Sequence, residues 1–307
     1  MGDHDHHYHG HGHGHGHSHN TPSMDWRFAF GAGLNLAFVV VEAITGVISG
    51  STALLADAGH NLSDVLGLVL AGFAVWLARR PMSARRTYGF GKATVLAALA
   101  NALGLVFACG AIVWEALHHL AGGAAPASGV MMIVAGVGVI INAGTALMFL
   151  KGRAGDANVR GAFVHMAADA AVSVGVIAAG AAIWLTGAAW IDTLASLVIV
   201  AVILLTTWDL LKETLDLAMD AAPRSIDVEA VRSFLAARPG VITVHDLHIW
   251  PISTTETALT AHLVRPDGGD DEFISQTVCA LRETFGLGHA TLQVERESLP
   301  DCQAMHA

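Results

Sequence analysis

Two histidine–aspartate pairs lie inside apolar stretches of the chain at the same spacing. His60 and Asp64 are four residues apart, and so are His165 and Asp169. Residues four apart on a helix share a face, so each stretch presents one imidazole and one carboxylate together. Two such helices side by side would supply two nitrogens and two oxygens, a complete tetrahedral ligand set for Zn²⁺. The pattern predicts a metal site between two helices.

The two aspartates of these pairs also need a compensating charge. A carboxylate at the centre of a membrane-spanning helix costs about 2.5–3.5 kcal/mol on insertion scales. The surrounding stretches contain no Lys or Arg at that depth, so a divalent cation or protons would neutralise Asp64 and Asp169. Because metal binding needs neutral imidazole and ionised carboxylate, metal and protons compete for the same groups. Polar packing between helices is the alternative interpretation, and the duplicated spacing argues against it.

Other polar residues in the apolar stretches are weaker candidates. Asp57 lies one turn before His60 on the same helical face, which favours a role in supporting the site or in an ion pathway. Glu42 has two interpretations, a role in an ion pathway or simple packing between helices. Glu115 and Asp192 lie near the ends of apolar stretches, where solvation by water is the expected account.

A histidine-rich tail precedes the apolar part of the chain. Nine of the first nineteen residues are histidine, alternating with Gly and Asp. Such a flexible imidazole-rich segment suits borderline metals. It cannot hold one fixed geometry, so we expect it to gather metal or tune affinity. A purification tag is the alternative, although tags are usually unbroken histidine runs.

The composition is that of a membrane protein with a soluble appendage. The 307 residues are 53% hydrophobic and 14% charged, whereas soluble domains carry roughly 25% charged residues. Six stretches reach the roughly 20 residues that a hydrocarbon core requires. They are predicted at Arg27–Ile48, Ala53–Leu77, Thr94–Leu117, Val130–Leu150, Gly161–Leu185 and Ile191–Leu211.

Charge distribution orients these spans and excludes some functions. Lys and Arg of this part of the chain all fall on one side of the six spans, which predicts that both termini are cytoplasmic. The net charge is −10 and no basic surface is evident, so nucleic acid is not an expected partner. The three cysteines have no CxxC spacing, so no disulfide framework is expected.

A small soluble domain is predicted from about Pro223. Two helices and three strands follow in the order αββαβ, which implies a compact sheet with helices on one face. They are expected at Asp227–Ala237, Val241–Trp250, Thr257–Val264, Glu272–Phe285 and Ala290–Glu295. Because the core of so short a domain is modest, dimerisation would help it. The chain thus divides into a tail at 1–24, a six-helix membrane domain at 25–218, a cytoplasmic domain at 219–300 and a C-terminal tail at 301–307.

Together these features resemble the cation diffusion facilitators. HxxxD occurs in the second and fifth spans, the stretch His245–Trp250 reads HDLHIW, and Arg86–Lys92 reads RTYGFGK. The resemblance covers the chain from about Arg27 to Cys302. It is greatest to the zinc, cobalt and cadmium efflux branch of bacteria and to the vesicular zinc transporters of vertebrates.

The resemblance implies more than the spacing does. It implies a homodimer that exchanges a cytoplasmic divalent metal for protons by alternating access, with a ferredoxin-like α+β cytoplasmic domain. His60, Asp64, His165 and Asp169 would form the transport site, and a histidine in each pair is the form associated with Zn²⁺, with Co²⁺ or Cd²⁺ as further substrates. A bacterial inner (plasma) membrane is the expected location.

A second, cytoplasmic metal site is also implied by the resemblance. Zn²⁺ would act there as a regulatory ligand. The corresponding residues are His245, His262, His289, Glu295 and Cys302. Packing or surface exposure is the alternative for each of these residues taken singly. A third site found in some members is expected to be absent, because the link Pro81–Gly91 contains neither Asp nor His.

Two other classes of function were weighed against transport. An intramembrane metal hydrolase or di-iron oxygenase would need HExxH-like or HxxHH-type clusters, which the chain lacks. A four-ligand site also leaves no open position for a catalytic water. A metal-sensing scaffold would explain His245 and His262 but not two carboxylates inside the membrane.

Overall fold

The computed structural model of the chain describes the backbone of residues 26–120, 126–150 and 157–297. Within these residues it contains eight helices and three strands. In chain order they are α1 (Trp26–Ser49), α2 (Thr52–Ala78), α3 (Lys92–Leu120), α4 (Ser128–Phe149), α5 (Ala157–Thr186), α6 (Trp190–Ala218), α7 (Val228–Ala236), β1 (Thr243–Pro251), β2 (Thr257–Val264), α8 (Asp271–Phe285) and β3 (His289–Glu295). The predicted tails at 1–24 and 301–307 lie outside the described residues.

Helices α1 to α6 form a predominantly apolar bundle. Five of them, α2 to α6, are long and apolar enough to cross a bilayer, and α1 adds the shorter apolar stretch Gly33–Ser49. The 27 residues of α2 extend roughly 40 Å at about 1.5 Å each, which exceeds a hydrocarbon core of about 30 Å. Ile48 and Phe107 are each 81% exposed on the bundle surface, a position that suits lipid. The predicted multi-pass membrane protein is confirmed.

Close packing brings the helices that carry the two His/Asp pairs into one bundle. Helix α2 packs against α1, α3 and α6, α5 packs against α4 and α6, and α2 and α5 also touch each other. A Cβ atom at Gly138 of α4 would lie 2.8 Å from the ring of Phe38 and 3.0 Å from Ser173 Oγ. Glycine is therefore required where α1 and α5 both approach α4.

Asp192 of α6 anchors the first turn of α2. Solvation by water was the expected account of this residue, and it is wrong, because Asp192 is 2% exposed. Its carboxylate accepts hydrogen bonds from Ser51 Oγ at 2.7 Å and from the backbone N–H of Thr52 at 2.6 Å. A negative charge at a helix N-terminus is favourable. This contact fixes the position of α2 along the bundle axis relative to α6. It thereby also fixes the positions of His60 and Asp64.

The cytoplasmic domain has the predicted αββαβ order. Strand β2 is central, antiparallel to β1 and parallel to β3, and α7 and α8 pack against the sheet and each other. Strand β1 begins at Thr243 and not at the predicted Val241, because the Val241 N–H closes a turn on the carbonyl of Arg238. The core consists of apolar residues from both helices and all three strands, including Val231, Leu235, Leu259, Leu281 and Leu292.

Lys92 links the membrane bundle to the cytoplasmic domain. Its Nζ donates hydrogen bonds to the carbonyls of Leu217 at 3.1 Å and Pro251 at 2.9 Å. It also forms an ion pair with Asp220. Leu217 lies in the last turn of α6, Asp220 follows that helix, and Pro251 ends β1. The start of α3 is thereby attached to both parts of the molecule.

Candidate metal centre

The four side chains of the two His/Asp pairs converge between α2 and α5. His60 Nε2 lies 3.6 Å from an oxygen of Asp64 and 3.6 Å from an oxygen of Asp169. His165 Nε2 lies 3.3 Å from Asp64 and 3.6 Å from Asp169. Each imidazole therefore faces the carboxylate of its own helix and that of the neighbouring helix.

These separations match the edges of a tetrahedron around a small divalent cation. Zn²⁺ binds imidazole nitrogen and carboxylate oxygen at about 2.0–2.2 Å, which places neighbouring ligand atoms about 3.3–3.5 Å apart. The four nitrogen–oxygen separations of the cluster are 3.3–3.6 Å. The centroids of the His60 and His165 rings are 6.1 Å apart. The side chains thus fit a zinc-sized ion with little further movement.

The centre is reached from one side. A cleft of about 560 Å³ adjoins it, lined by His60, His165 and Asp169 together with apolar side chains of α5 and α6. Side-chain exposure falls from 41% for His165 to 2% for Asp169. An ion entering from the cleft would therefore meet His165 first and Asp169 last.

A layer of polar side chains supports the centre from inside the bundle. Asp57 accepts hydrogen bonds from Ser173 Oγ at 3.2 Å and from Asn61 Nδ2 at 3.4 Å. The sequence reasoning identified Asp57 but not Ser173 or Asn61. Ser173 continues the i, i+4 series of His165 and Asp169 by one more turn of α5, and that periodicity was the available signal.

A second cluster of potential metal ligands lies on the cytoplasmic sheet. His245 of β1 and His262 of β2 are paired across the strands, and each places a ring nitrogen 3.1 Å from a different oxygen of Glu295. The ligand atoms of these three residues all lie within 4.8 Å of one another. Glu295 is 4% exposed, and the two rings are partly exposed. The geometry suits one metal ion held at the sheet surface.

A bulge adds Asp246 to this cluster. The β1–β2 register shifts between His245 and His248, and Asp246 adopts a left-handed backbone with φ of 50°. Strict alternation would turn Asp246 away from His245, but its carboxylate lies 3.4 Å from His262 Nε2. A hydrogen bond with His248 lowers the pKa of Asp246 below its usual range. The sequence reasoning missed this residue.

Of the two remaining residues proposed for the cytoplasmic site, His289 is described and is not in the cluster. His289 lies at the opposite end of β3 from Glu295 and is paired with Ala258. Its ring contacts Tyr88 of the α2–α3 link, with centroids 5.5 Å apart. Cys302 lies outside the described residues. The structure therefore brings together three of the five residues that the resemblance implied.

Comparison with known proteins identifies the family. Residues 29–217 match the cation efflux transmembrane domain, and residues 223–297 match the cytoplasmic domain of cation efflux proteins. The chain belongs to the cation efflux family, which confirms its resemblance to the cation diffusion facilitators. Membership of this family places the protein among membrane transporters and not among enzymes.

Characterised relatives align with most of the chain. The metal cation efflux system protein CzcD of Cupriavidus metallidurans is 35% identical over 264 residues, covering 85% of this chain and 84% of the relative. The zinc transporter ZitB of Escherichia coli is 34% identical over 281 residues and covers 90% of both. The cadmium, cobalt and zinc/H⁺-K⁺ antiporter of Bacillus subtilis is 32% identical over 268 residues, covering 85% and 86%.

Proposed function

We propose that this protein exports Zn²⁺ from the cytoplasm in exchange for protons by alternating access. His60, Asp64, His165 and Asp169 form the transport site. The observation that carries the proposal is the convergence of two imidazoles and two carboxylates at 3.3–3.6 Å. These are the ligand types and separations that tetrahedral Zn²⁺ takes.

The charge of the site explains the exchange. Helix α2 contains no Lys or Arg, and the only one in α5 is Arg160 near its start, so neither helix supplies a cation near Asp64 and Asp169. Zn²⁺ neutralises both carboxylates when it binds, and protons neutralise them when it leaves. Zinc and protons thus occupy the site alternately, and a proton gradient can drive zinc uphill.

The choice of metal follows from the ligands and agrees with the relatives. Zn²⁺ accepts nitrogen and oxygen ligands without a geometric preference from d-electrons. ZitB is named a zinc transporter, and the Bacillus subtilis relative is named for cadmium, cobalt and zinc. Zinc is the principal substrate in this proposal, and Co²⁺ or Cd²⁺ are further substrates, because affinity order alone does not exclude them.

The cytoplasmic domain binds a second zinc ion that regulates transport. His245, His262 and Glu295 hold it, and Asp246 adds a fourth ligand or a neighbouring negative charge. The domain at 219–300 pairs two chains in a homodimer, which compensates for its small core. The tail at 1–24 gathers metal. Both termini are cytoplasmic, as the side on which Lys and Arg fall indicates. The membrane is the inner membrane of a bacterium, in keeping with the high Ala and Gly content.

Flux through reconstituted protein tests this function. Proteoliposomes that hold a zinc-sensitive dye and a pH gradient should accumulate zinc at a rate that rises with the gradient. Dissipating the gradient with a protonophore should stop net accumulation. Zinc binding without any flux would instead identify a metal sensor and refute the proposal. Parallel runs with Co²⁺ and Cd²⁺ establish the order of substrates.

A further inference from the structure

A second pair of carboxyl groups lies next to the transport site and takes no part in binding the metal. Glu42 belongs to α1 and Asp57 to α2, and both are 0% exposed. The Glu42 carboxyl faces the Asp57 carboxyl and the Asn61 side chain. Proton exchange by the four zinc ligands does not require these two groups, and so their burial needs its own explanation.

The two carboxyl groups have different surroundings. Asp57 accepts hydrogen bonds from Asn61 Nδ2 and Ser173 Oγ, as an ionised carboxylate does. Neither oxygen of Glu42 accepts a hydrogen bond of good geometry from a described residue, and its nearest polar neighbours are the side chains of Asp57 and Asn61. A charged carboxylate without a partner in a dry interior is very unfavourable. The surroundings therefore favour an ionised Asp57 and a protonated Glu42.

Among the described residues, no Lys or Arg faces this pair. The other titratable groups that face it are Asp169 of α5 and His60 of α2. Helix α4, which packs on α1, contains no ionisable residue between Ser128 and Phe149. Two carboxyl groups that face each other away from water cannot both ionise easily and share one proton. Only a cation arriving nearby would allow that proton to leave.

We propose that Glu42 carries a proton that is exchanged against zinc, in addition to the protons exchanged by the four metal ligands. The proposal rests on the proposed transport function. When Zn²⁺ binds between α2 and α5, its two positive charges favour the ionised form of Glu42. The O–H bond of Glu42 breaks, the electron pair stays on the carboxylate, and the proton leaves. When zinc departs, one proton returns to Glu42.

The contacts of Asp57 supply a route for this proton. It passes from Glu42 to Asp57, whose carboxylate is hydrogen-bonded to the Ser173 hydroxyl; for a further transfer that hydroxyl would turn, accept the proton on its oxygen and release its own proton to another acceptor. Ser173 follows Asp169 by one turn on the same face of α5, and Asp169 lines the cleft. The route thus leads from α1 toward α5, the helix whose Asp169 lines the cleft.

Counting the protons released per zinc bound tests this role. Full-length protein in lipid nanodiscs is titrated with ZnCl₂ at one pH in several buffers of different ionisation enthalpy. The slope of the observed enthalpy against that ionisation enthalpy gives the proton count. Glu42→Gln retains the shape of the protonated side chain, and its amide can donate to Asp57. We expect it to bind zinc at the intramembrane site and, for each zinc bound at that site, to release about one proton fewer than the wild type.

A matched variant and a second substitution complete the design. Glu115→Gln makes the same chemical change at a carboxyl that is 52% exposed, and it should release the wild-type number of protons. If Glu42→Gln does not fold, the double variant Glu42→Gln/Asp57→Asn replaces the pair with two amides that can bond to each other. It should show the same deficit of about one proton, because the pair holds only one.

The outcomes separate this inference from the transport function. A wild-type proton count in Glu42→Gln or in the double variant would overturn the role of Glu42 and leave the four-ligand site intact. Asp169→Asn is measured alongside as a test of the site. If that variant still bound zinc at the intramembrane site with wild-type affinity, the proposed function itself would fail, whatever the result for Glu42.

Discussion

The intramembrane centre and the cytoplasmic cluster use similar ligands on very different supports. Each combines two imidazoles with carboxylates, at nitrogen–oxygen separations of 3.3–3.6 Å in the membrane and 3.1–3.4 Å on the sheet. The membrane ligands come from two helices that have few contacts with each other. Those of the cluster lie on adjacent strands that backbone hydrogen bonds hold in register.

This difference in support suits the different tasks that we propose for the two sites. In the proposed alternating access, α2 and α5 shift relative to each other, so that the four ligands separate and release an ion. The sheet ligands cannot separate without breaking strand pairing. A transport site must release its ion in every cycle, whereas a regulatory site can keep it. Similar ligands therefore suit a transported ion at the intramembrane centre and a retained ion at the cytoplasmic cluster.

Removing a charge from the intramembrane centre should have the largest effect. Asp64→Asn or Asp169→Asn leaves the helices intact but removes a ligand and half of the negative charge. We expect zinc flux in proteoliposomes to fall at least about 100-fold, the upper end of the loss seen on altering outer-shell partners of metals. Asp209→Asn on exposed α6 surface is the matched control. Flux near the wild-type rate in either site variant would contradict the assignment of transport to the intramembrane centre.

Changing the ligand type should alter the choice of metal at one centre only. His60→Asp replaces a nitrogen with an oxygen at the transport site, so the ratio of zinc to cadmium flux should fall by roughly tenfold. The same replacement in the cytoplasmic cluster, His262→Asp, should leave that ratio unchanged. Competition of Cd²⁺ with zinc flux measures both. An unchanged ratio in His60→Asp would argue that selectivity arises elsewhere.

Disabling the cytoplasmic cluster should affect regulation more than transport itself. Glu295→Gln removes the carboxylate that both histidines face. We expect about one zinc fewer per chain in equilibrium dialysis and a change in maximal flux of less than about tenfold. If this variant lost flux as completely as Asp169→Asn, the cluster would have to belong to the transport path.

Deleting residues 1–24 should have the smallest effect. A flexible histidine-rich segment raises the local metal concentration without forming a fixed site. The zinc concentration for half-maximal flux should rise by about two- to threefold, while maximal flux per molecule stays the same. Flux titrations corrected for protein amount measure both values. Abolished transport at normal protein levels would contradict this role of the tail.

The sequence predicted the parts of each centre that depend on local periodicity. That the two residues of each His/Asp pair share a helical face follows from their i, i+4 spacing and from helical geometry alone. That α2 and α5 lie side by side depends on packing through α6, which contacts both, and through α1 and α4. Periodicity does not encode such packing, so the spacing predicted the site only for two helices that lie side by side, and the resemblance to a family supported that arrangement.

The failures occurred where tertiary contacts override local rules. Asp192 was expected in water, yet it is buried because the free N–H groups of α2 provide donors for its carboxylate. Asp246 was missed because the bulge in β1 is invisible to strand alternation. His289 has a suitable ligand type, but it begins β3 and Glu295 ends it, so the extended strand keeps the two side chains apart.

X-ray absorption at the zinc edge tests the central claim most directly. The sample is protein that lacks residues 1–24 and carries His262→Ala and Glu295→Gln, so that zinc binds only in the membrane. We predict two imidazole nitrogens and two carboxylate oxygens at about 2.0–2.2 Å, with the signal lost when Asp169→Asn is added. Six oxygen ligands, sulfur ligands or an unchanged spectrum after Asp169→Asn would contradict the account.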